Sequence, residues 1–136
     1  MSIAVVTGSA GLIGSETCRK FHAEGFEVVG IDNDMRARFF GPGASTRGTK
    51  ERLQASLKRY RHEDLDIRDS ARVEALFRRL GSAVKVVIHT AAQPSHDWAA
   101  REPHTDFQVN ALGNLECVRG CAQALSRSRI YLHQHQ

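Results

Sequence analysis

Continuous apolar runs alternate with amphipathic segments along most of this 136-residue chain. Three of the runs are rich in Val or Ile: SIAVVTG at 2–8, FEVVGID at 26–32 and AVKVVIHTAA at 83–92. Runs of this length are typical of strands that are buried on both faces of a sheet. A weaker strand is predicted in YRHEDLDI at 60–67, which makes four strands in all.

The segments between these strands place apolar residues three or four positions apart, as on one face of a helix. Helices are predicted at 11–25, at 50–59 and at 68–81, the last with Asp69 or Ser70 as its N-cap. The residues predicted to face inward are Leu12, Ile13, Cys18, Phe21 and Ala23 in the first helix and Val73, Leu76, Phe77 and Leu80 in the third.

Two further segments complete the pattern. Residues 33–49 carry glycine, proline and serine and are predicted to form a long loop, whereas 105–125 are predicted to form a helix. The alternation of strands and helices predicts an α/β fold, a Rossmann-like doubly wound parallel sheet that is truncated after about four strands. Such a sheet has an open edge beside its fourth strand, and RIYL at 129–132 is apolar enough to lie there.

The composition fits one small packed domain, since 41% of the residues are hydrophobic. The formal charge is +4, but Lys and Arg are spread along the chain, so nucleic-acid binding is not expected. No apolar run is long enough to span a membrane, and the N-terminus has the pattern of a strand rather than of a signal peptide. Cys18, Cys117 and Cys121 lack metal-type spacing, and reduced thiols in a cytoplasmic protein are expected.

The strongest candidate site is the stretch VVTGSAGLIGSE at 5–16. Gly8 allows a sharp turn out of the strand, Gly11 allows a pyrophosphate to approach the backbone, and Gly14 allows the helix to pack close to the strand. The N-terminus of that helix then directs free N–H groups and a partial positive charge toward the phosphates. In this position between strand and helix, the glycine pattern predicts a dinucleotide site.

The second predicted strand ends in Asp32, about twenty residues after the glycines, as a dinucleotide fingerprint requires. A carboxylate there accepts hydrogen bonds from the adenosine ribose hydroxyls and repels a 2′-phosphate, so NAD is predicted in preference to NADP. Arg36 and Arg38 follow closely, but Asp32 occupies the discriminating position. The alternative role for Asp32 is that of a turn or helix cap.

The turn TGSAGLIG at 7–14 resembles the TGxxGxxG element of the extended short-chain dehydrogenase/reductase superfamily, which includes the nucleotide-sugar epimerases and dehydratases. DLDIRD, VIHTAAQPS and VNALGN resemble further motifs of that superfamily, in the same order. The resemblance implies an NAD-binding domain in residues 1–123. The cofactor-binding residues that it implies are Gly8, Gly11, Leu12, Ile13, Gly14, Asp32, Asn33, Asp66, Ile67, Thr90, Ala91, Ala92, Gln93 and Asn110.

Within the superfamily, residues 30–53 and 89–102 most resemble the CDP-paratose 2-epimerases, also called CDP-tyvelose epimerases. The resemblance implies an isomerase whose tightly bound NAD is reduced and reoxidised while a nucleotide sugar is bound. It also implies a catalytic tyrosine in a YxxxK motif, but neither Tyr60 nor Tyr131 has a lysine four residues later. No catalytic residue is therefore assigned, the substrate domain is absent, and the chain is expected to be inactive alone.

Other residues of catalytic or metal-binding type have simpler interpretations. Ser95, His96 and Asp97 are consecutive and so cannot line up as a hydrolase triad. His89, at a strand end, is expected to be a hydrogen-bonded core histidine. The HxH pair in the last four residues has no third ligand nearby in the sequence, so no metal is predicted.

The tail ALSRSRIYLHQHQ at 124–136 does not resemble the superfamily as protein. One permitted set of codons for it, read from the second base, encodes HCPEAVYIFTST, which resembles the fifth strand and hydroxyl motif of these epimerases. A frameshift between Arg119 and Ala124 is therefore expected, and the nucleotide sequence of the locus tests it. Two alternatives remain, a stand-alone dinucleotide-binding or regulatory module and a chain whose missing half comes from a partner.

Overall fold

The computed structural model describes residues 2–34, 43 and 45–90, and the backbone of 129–132. The elements are β1 (Ile3–Thr7), α1 (Leu12–Ala23), β2 (Glu27–Ile31), α2 (Arg47–Ser56), β3 (Tyr60–Glu63), α3 (Ser70–Leu80), a 3₁₀ turn (Gly81–Ala83), β4 (Val84–His89) and β5 (Arg129–Leu132). The four strands and three helices predicted in this part of the chain are confirmed, but α2 begins at Arg47, inside the loop predicted at 33–49, and ends at Ser56 rather than at 59.

The strands form one parallel sheet in the order β3-β2-β1-β4-β5. β1 is central, and its Val5 is in register with Val29 of β2 and with Val87 of β4. The chain builds outward from β1 to β3 and then crosses to the other side of β1 to form β4. The predicted doubly wound α/β fold is confirmed, with its switch point between β1 and β4.

The edge beside β4 carries a fifth strand. Residues 129–132 pair in parallel with β4, and Ile130 is in register with Val87. The prediction that RIYL lies along this edge is confirmed. The predicted helix at 105–125 and the rest of the tail at 124–136 lie outside the described residues, so the expected frameshift stays a prediction.

The two faces of the sheet pack against different helices. Ile3 and Val5 of β1 belong to a core cluster with Val73, Leu76 and Phe77 of α3. The alternate residues of β1 face the opposite side, where the cluster includes Ala4, Val6, Cys18 of α1 and Leu53 of α2. Because side chains alternate along a strand, a continuous apolar run supplies both layers at once.

The ends of the helices test the remaining local predictions. Asp69 is the N-cap of α3, and its carboxylate accepts a hydrogen bond from Arg72 N–H at 3.2 Å, as predicted. The inward stripe predicted for α1 is wrong in part, since Leu12 is 82% and Ile13 37% exposed and Ala23 is also exposed. The physical reason is that α1 packs on the sheet through small residues at its N-terminal end, where Gly14 and Ser15 are buried.

Candidate functional site

The glycine turn at 8–14, the segment 32–34 and Thr90 all follow strands that end at the same edge of the sheet. Thr7 at the end of β1 is in register with Ile31 on one side and His89 on the other. This edge lies at the switch point, where ligands bind in open parallel sheets.

The glycine turn is held by backbone hydrogen bonds and by close packing. Gly8 has a φ of 69° and donates its N–H to the carbonyl of Ile31 at 2.7 Å. A Cβ on Gly14 would lie 1.9 Å from the carbonyl oxygen of Gly8, so only glycine fits there. Gly8 and Gly14 thus have the conformational and packing roles that the spacing predicts, whereas the pyrophosphate role of Gly11 stays a prediction.

The N-terminus of α1 opens directly from this turn. Gly11 is the N-cap, no side chain caps the helix, and the first turn carries no acidic residue. The first N–H groups of a helix have no partner within it, and they give this end a partial positive charge. The exposed side chains of Leu12 and Ile13 lie at this end, so the described part of the site offers N–H donors beside apolar surface.

Asp32 follows β2 and its carboxylate holds two backbone segments. Oδ2 accepts from Ala10 N–H at 3.1 Å, and Oδ1 accepts from Asp34 N–H at 2.7 Å. Burial raises the pKa of Asp32 above its ordinary value, while these two N–H donors oppose the rise. Each oxygen uses one lone pair in this way, so a second acceptor position on each is left for ligand hydroxyls. The turn-cap interpretation is therefore correct, and it is compatible with ribose binding.

Asp34 connects the segment after β2 with the residues just before α2. It has a φ of 58°, and its carboxylate accepts from the N–H of Thr46 at 2.9 Å and from the hydroxyl of Ser45 at 2.5 Å. Asn33 between the two aspartates is exposed. The hydrogen bonds of Asp34 bring the start of α2 to the site.

A cleft opens beside Asp32 and the start of α2. Arg47 of α2 pairs with Glu51 at 3.3 Å, and Lys50 of the same helix pairs with Asp64 at 3.3 Å. The residues that line the cleft are Ala10, Asp32, Asp34, Thr46, Arg47, Lys50, His62 and Asp64. Arg47 and Lys50, the arginine and the lysine that line the cleft, thus each form an ion pair with a carboxylate.

Asp66 and Ile67 follow β3 and differ in exposure. Arg68 Nε lies 3.0 Å from each carboxylate oxygen of Asp66, and Arg68 N–H donates to Oδ1 at 2.9 Å. Ile67 is 6% exposed and belongs to the core cluster under α3. The side chain of Ile67 is therefore part of the core. A ligand beside Ile67 would contact its main chain rather than its side chain.

His89 and Thr90 are tied to the end of β1. The Thr7 hydroxyl accepts from Thr90 N–H at 3.1 Å and contacts His89 Nδ1 at 2.7 Å. Burial lowers the pKa of His89 to about 4, so its ring is neutral at neutral pH. The expectation of a hydrogen-bonded core histidine is confirmed. Ala91, Ala92, Gln93 and Asn110 lie outside the described residues, and their predicted roles stay predictions.

The sequence interpretation missed a buried polar cluster beneath the site. Tyr60 contacts Ser9 Oγ and His62 Nδ1 through its hydroxyl, both at 3.1 Å. A Cβ on Gly30 would lie 2.2 Å from that hydroxyl. The available signal was Gly30 itself, because a glycine inside a strand marks a close approach of other groups.

Two classes of site are not found in the described part of the chain. Within residues 2–34, 43 and 45–90, no group of three or more His, Cys, Asp and Glu residues could hold a metal ion. Among the helices that the structure describes, none is long and apolar enough to cross a membrane.

Comparison with known proteins matches residues 4–133 to the NAD dependent epimerase/dehydratase family. UDP-glucose 4-epimerase of Mus musculus is 28% identical over 118 residues, which cover 87% of this chain and 33% of the relative. The chain spans about a third of the length of the mammalian relatives that it matches.

Solved structures show the same relationship. UDP-glucose-4-epimerase from Stenotrophomonas maltophila, with bound NAD and formylated UDP-arabinopyranose, has a TM-score of 0.78 and 26% identity and is matched over 97% of this chain and 36% of its own. UDP-glucose 4-epimerase from Thermus thermophilus, in complex with NAD, has a TM-score of 0.69 and 32% identity, over 90% and 34% of the two chains.

Proposed function

The chain belongs to the NAD dependent epimerase/dehydratase family, and we propose that it is the NAD-binding portion of a nucleotide-sugar epimerase or dehydratase. One observation carries the proposal. The contact of Gly14 with Gly8 seats the N-terminus of α1 at the switch-point edge, next to the Asp32 carboxylate. This arrangement brings an anion-binding helix end and a ribose-binding acceptor within one site.

The described residues fit NAD in their chemistry. Gly8 turns the chain out of β1, Gly14 packs the helix against that turn, and Gly11 is proposed to let the pyrophosphate approach the backbone. Leu12 and Ile13 belong to the same helix end, and Asn33 lies beside Asp32. Asp66 and the main chain of Ile67 are proposed to hold the adenine ring, and Thr90 is proposed to lie beside the nicotinamide half together with Ala91, Ala92, Gln93 and Asn110.

NAD is proposed in preference to NADP. The carboxylate of Asp32 would repel a 2′-phosphate in the position of the ribose hydroxyls. The two cations that line the cleft are each paired with a carboxylate, Lys50 with Asp64 and Arg47 with Glu51. The negative charge of Asp32 is therefore the feature that favours the uncharged ribose.

When bound, NAD would accept and return a hydride, and the described residues would bind and orient it. Tyr60, the one tyrosine whose side chain the structure describes, does not suit the role of catalytic base. Tyr60 is 8% exposed, and burial raises the pKa of its hydroxyl far above the usual range. Its hydroxyl is engaged with Ser9 and His62 beneath the site. We therefore propose that the chain binds NAD but does not by itself convert a sugar.

The proposed substrate class is a nucleotide sugar, and a CDP-sugar of the CDP-paratose 2-epimerase type is the finer proposal. The support is the resemblance of residues 30–53 and 89–102, a range that includes Asp34 and its hydrogen-bond partner Thr46. A stand-alone dinucleotide-binding or regulatory module without catalysis is the alternative proposal. A cytoplasmic location is proposed from the cysteines, of which Cys18 is a buried free thiol.

Isothermal titration calorimetry of the purified chain tests the cofactor proposal. We expect NAD to bind, and NADP to bind at least tenfold more weakly, a difference of about 1.4 kcal/mol. A folded chain that binds neither dinucleotide would overturn the proposal. CDP and UDP, titrated separately into the NAD-loaded chain, test whether any part of the sugar-nucleotide site is present.

A further inference from the structure

Ser9, Tyr60, His62 and Asp32 form a hydrogen-bonded ring beneath the proposed cofactor site, which links β3 with the segments that follow β1 and β2. Ser9 is fully buried, Tyr60 is 8% exposed and the side chain of His62 is 2% exposed. The Tyr60 hydroxyl lies 3.1 Å from Ser9 Oγ and 3.1 Å from His62 Nδ1. His62 Nε2 lies 3.1 Å from the main-chain carbonyl oxygen of Asp32.

One proton of this set is assigned by groups that accept. The main-chain carbonyl of Asp32 and the carboxylate of Asp64 both lie against His62 Nε2, so Nε2 carries a proton and donates it. The Tyr60 hydroxyl donates to Ser9 Oγ, and His62 Nδ1 lies 3.1 Å from the Tyr60 oxygen. Each of these buried polar groups thus has a partner, as buried polar groups require.

The ring is completed through the backbone. Ser9 precedes Ala10 in the chain, and the N–H of Ala10 donates to Asp32 Oδ2 at 3.1 Å. His62 Nε2 contacts the carbonyl of the same aspartate and also lies 3.2 Å from Asp64 Oδ1. The glycine turn and the carboxylate are therefore fixed relative to each other from two sides. Gly30 makes room for the ring, because a Cβ there would lie 2.6 Å from Ser9 Oγ.

We propose that Tyr60 and His62 are positioning residues for the dinucleotide, which orient the glycine turn through Ser9 and the ribose acceptor through the Asp32 main chain. They do not touch the ligand; their effect on binding is the pre-organisation of groups that do. This role rests on the proposed function for its effect on NAD affinity, but not for the hydrogen bonds themselves.

The first arm of the test needs no NAD. In ¹⁵N-labelled chain, with the His62 signal assigned by its loss in His62→Gln, we expect a proton on His62 Nε2, the nitrogen that faces the Asp32 carbonyl. Hydrogen exchange of the Ala10 amide should become about tenfold faster in Tyr60→Phe. In that variant the glycine turn can open without breaking the hydrogen bonds of the Tyr60 hydroxyl. An Nε2 without a proton, or an unchanged Ala10 exchange rate, would show that these hydrogen bonds do not hold the turn.

The second arm measures NAD affinity by titration. Tyr60→Phe and His62→Leu should each weaken NAD binding about tenfold. This is the loss of affinity expected when one hydrogen bond that orients the binding groups is removed. His62→Gln, whose amide can still donate to the Asp32 carbonyl, should recover part of the loss. A merely structural role would make no distinction between the Leu and Gln variants once both are folded.

Val73→Ala is the matched control, since it destabilises the opposite face of the sheet without touching the ring. It should accelerate exchange of the Val5 and Ala10 amides together and leave NAD affinity unchanged. Equal affinity losses in Val73→Ala and Tyr60→Phe would overturn the positioning role. If the wild-type chain binds no NAD, the proposed function fails, and the exchange and tautomer results still decide whether the ring positions Ala10.

Discussion

Gly14 lies so close to Gly8 that a Cβ on it would be 1.9 Å from the Gly8 carbonyl oxygen and 2.6 Å from its carbonyl carbon. This contact joins the first turn of α1 to the turn that leaves β1. It is the reason that the helix end lies at the edge of the sheet, where the glycine turn and Asp32 meet.

Gly14→Ala is expected to destabilise the chain by about 2 kcal/mol, because neither backbone can yield without moving β1 or α1. The measurement is chemical denaturation of both proteins. Gly48→Ala is the matched control, since its Cβ would meet only Arg52 Nη1 at 3.5 Å within α2. That control should be neutral or up to about 1 kcal/mol more stable, owing to the better helix propensity of alanine. A Gly14→Ala chain as stable as wild type would contradict the packing role.

Asp32→Asn tests the ribose acceptor and the discrimination against NADP. The amide can keep one acceptor oxygen but loses the negative charge, so the preference for NAD over NADP should shrink about tenfold or more. Titration of both dinucleotides into both proteins gives the ratio. Asp69→Asn, at the N-cap of α3, removes a carboxylate away from the site and should leave the ratio unchanged.

The pH dependence of NAD binding should report the same carboxylate. Burial raises the pKa of Asp32, so the carboxylate takes up its proton at a higher pH than an ordinary aspartate. NAD affinity should therefore fall as the pH is lowered toward this raised pKa, and the fall should begin above the ordinary range. In Asp32→Asn this fall should be absent; if it persists, another group causes it.

His89 should make stability depend on pH on the acidic side. Burial lowers its pKa to about 4 from the ordinary value of 6.5, so the unfolded chain binds more protons between these values. Stability contributed by the neutral ring is therefore complete above the unfolded pKa and is lost as the pH falls toward about 4, by roughly 3 kcal/mol at most.

Thermal or urea denaturation of wild type and His89→Asn between about pH 4 and 7 measures this contribution. The asparagine can still accept from Thr7 but does not titrate, so the slope over this range should be shallower. Parallel slopes for the two proteins would exclude His89 as the source.

Gly30→Ala should be destabilising by about 1–3 kcal/mol, because its Cβ would lie 2.2 Å from the Tyr60 hydroxyl and 2.6 Å from Ser9 Oγ. Tyr60→Phe removes the first of these contacts. The double variant should therefore be more stable than the sum of the two single changes predicts, with a coupling of about 0.5 kcal/mol or more. Strict additivity of the two changes would mean that Gly30 is not needed for the ring of hydrogen bonds.

The sequence by itself determined the order of elements, the α/β class and the two glycine positions that a turn and a close packing demand. It could do so because apolar runs, helical periodicity and glycine act locally, within one element or between neighbours in the chain. The N-cap of α3 could be narrowed to Asp69 or Ser70 and the burial of His89 predicted for the same reason, whereas the hydrogen-bond partner of His89, Thr7, lies 82 residues away in the sequence.

Only the tertiary structure decided which faces and which distant side chains meet. Leu12 and Ile13 fit a helical stripe in the sequence but lie exposed, because α1 packs on the sheet through Gly14 and Ser15. Ser9 and Tyr60 are 51 residues apart and meet only because β3 pairs with β2 in one register, with Gly30 leaving the space between them. Such contacts depend on strand register and on the room left by a missing side chain, and neither is encoded in the periodicity of any single segment.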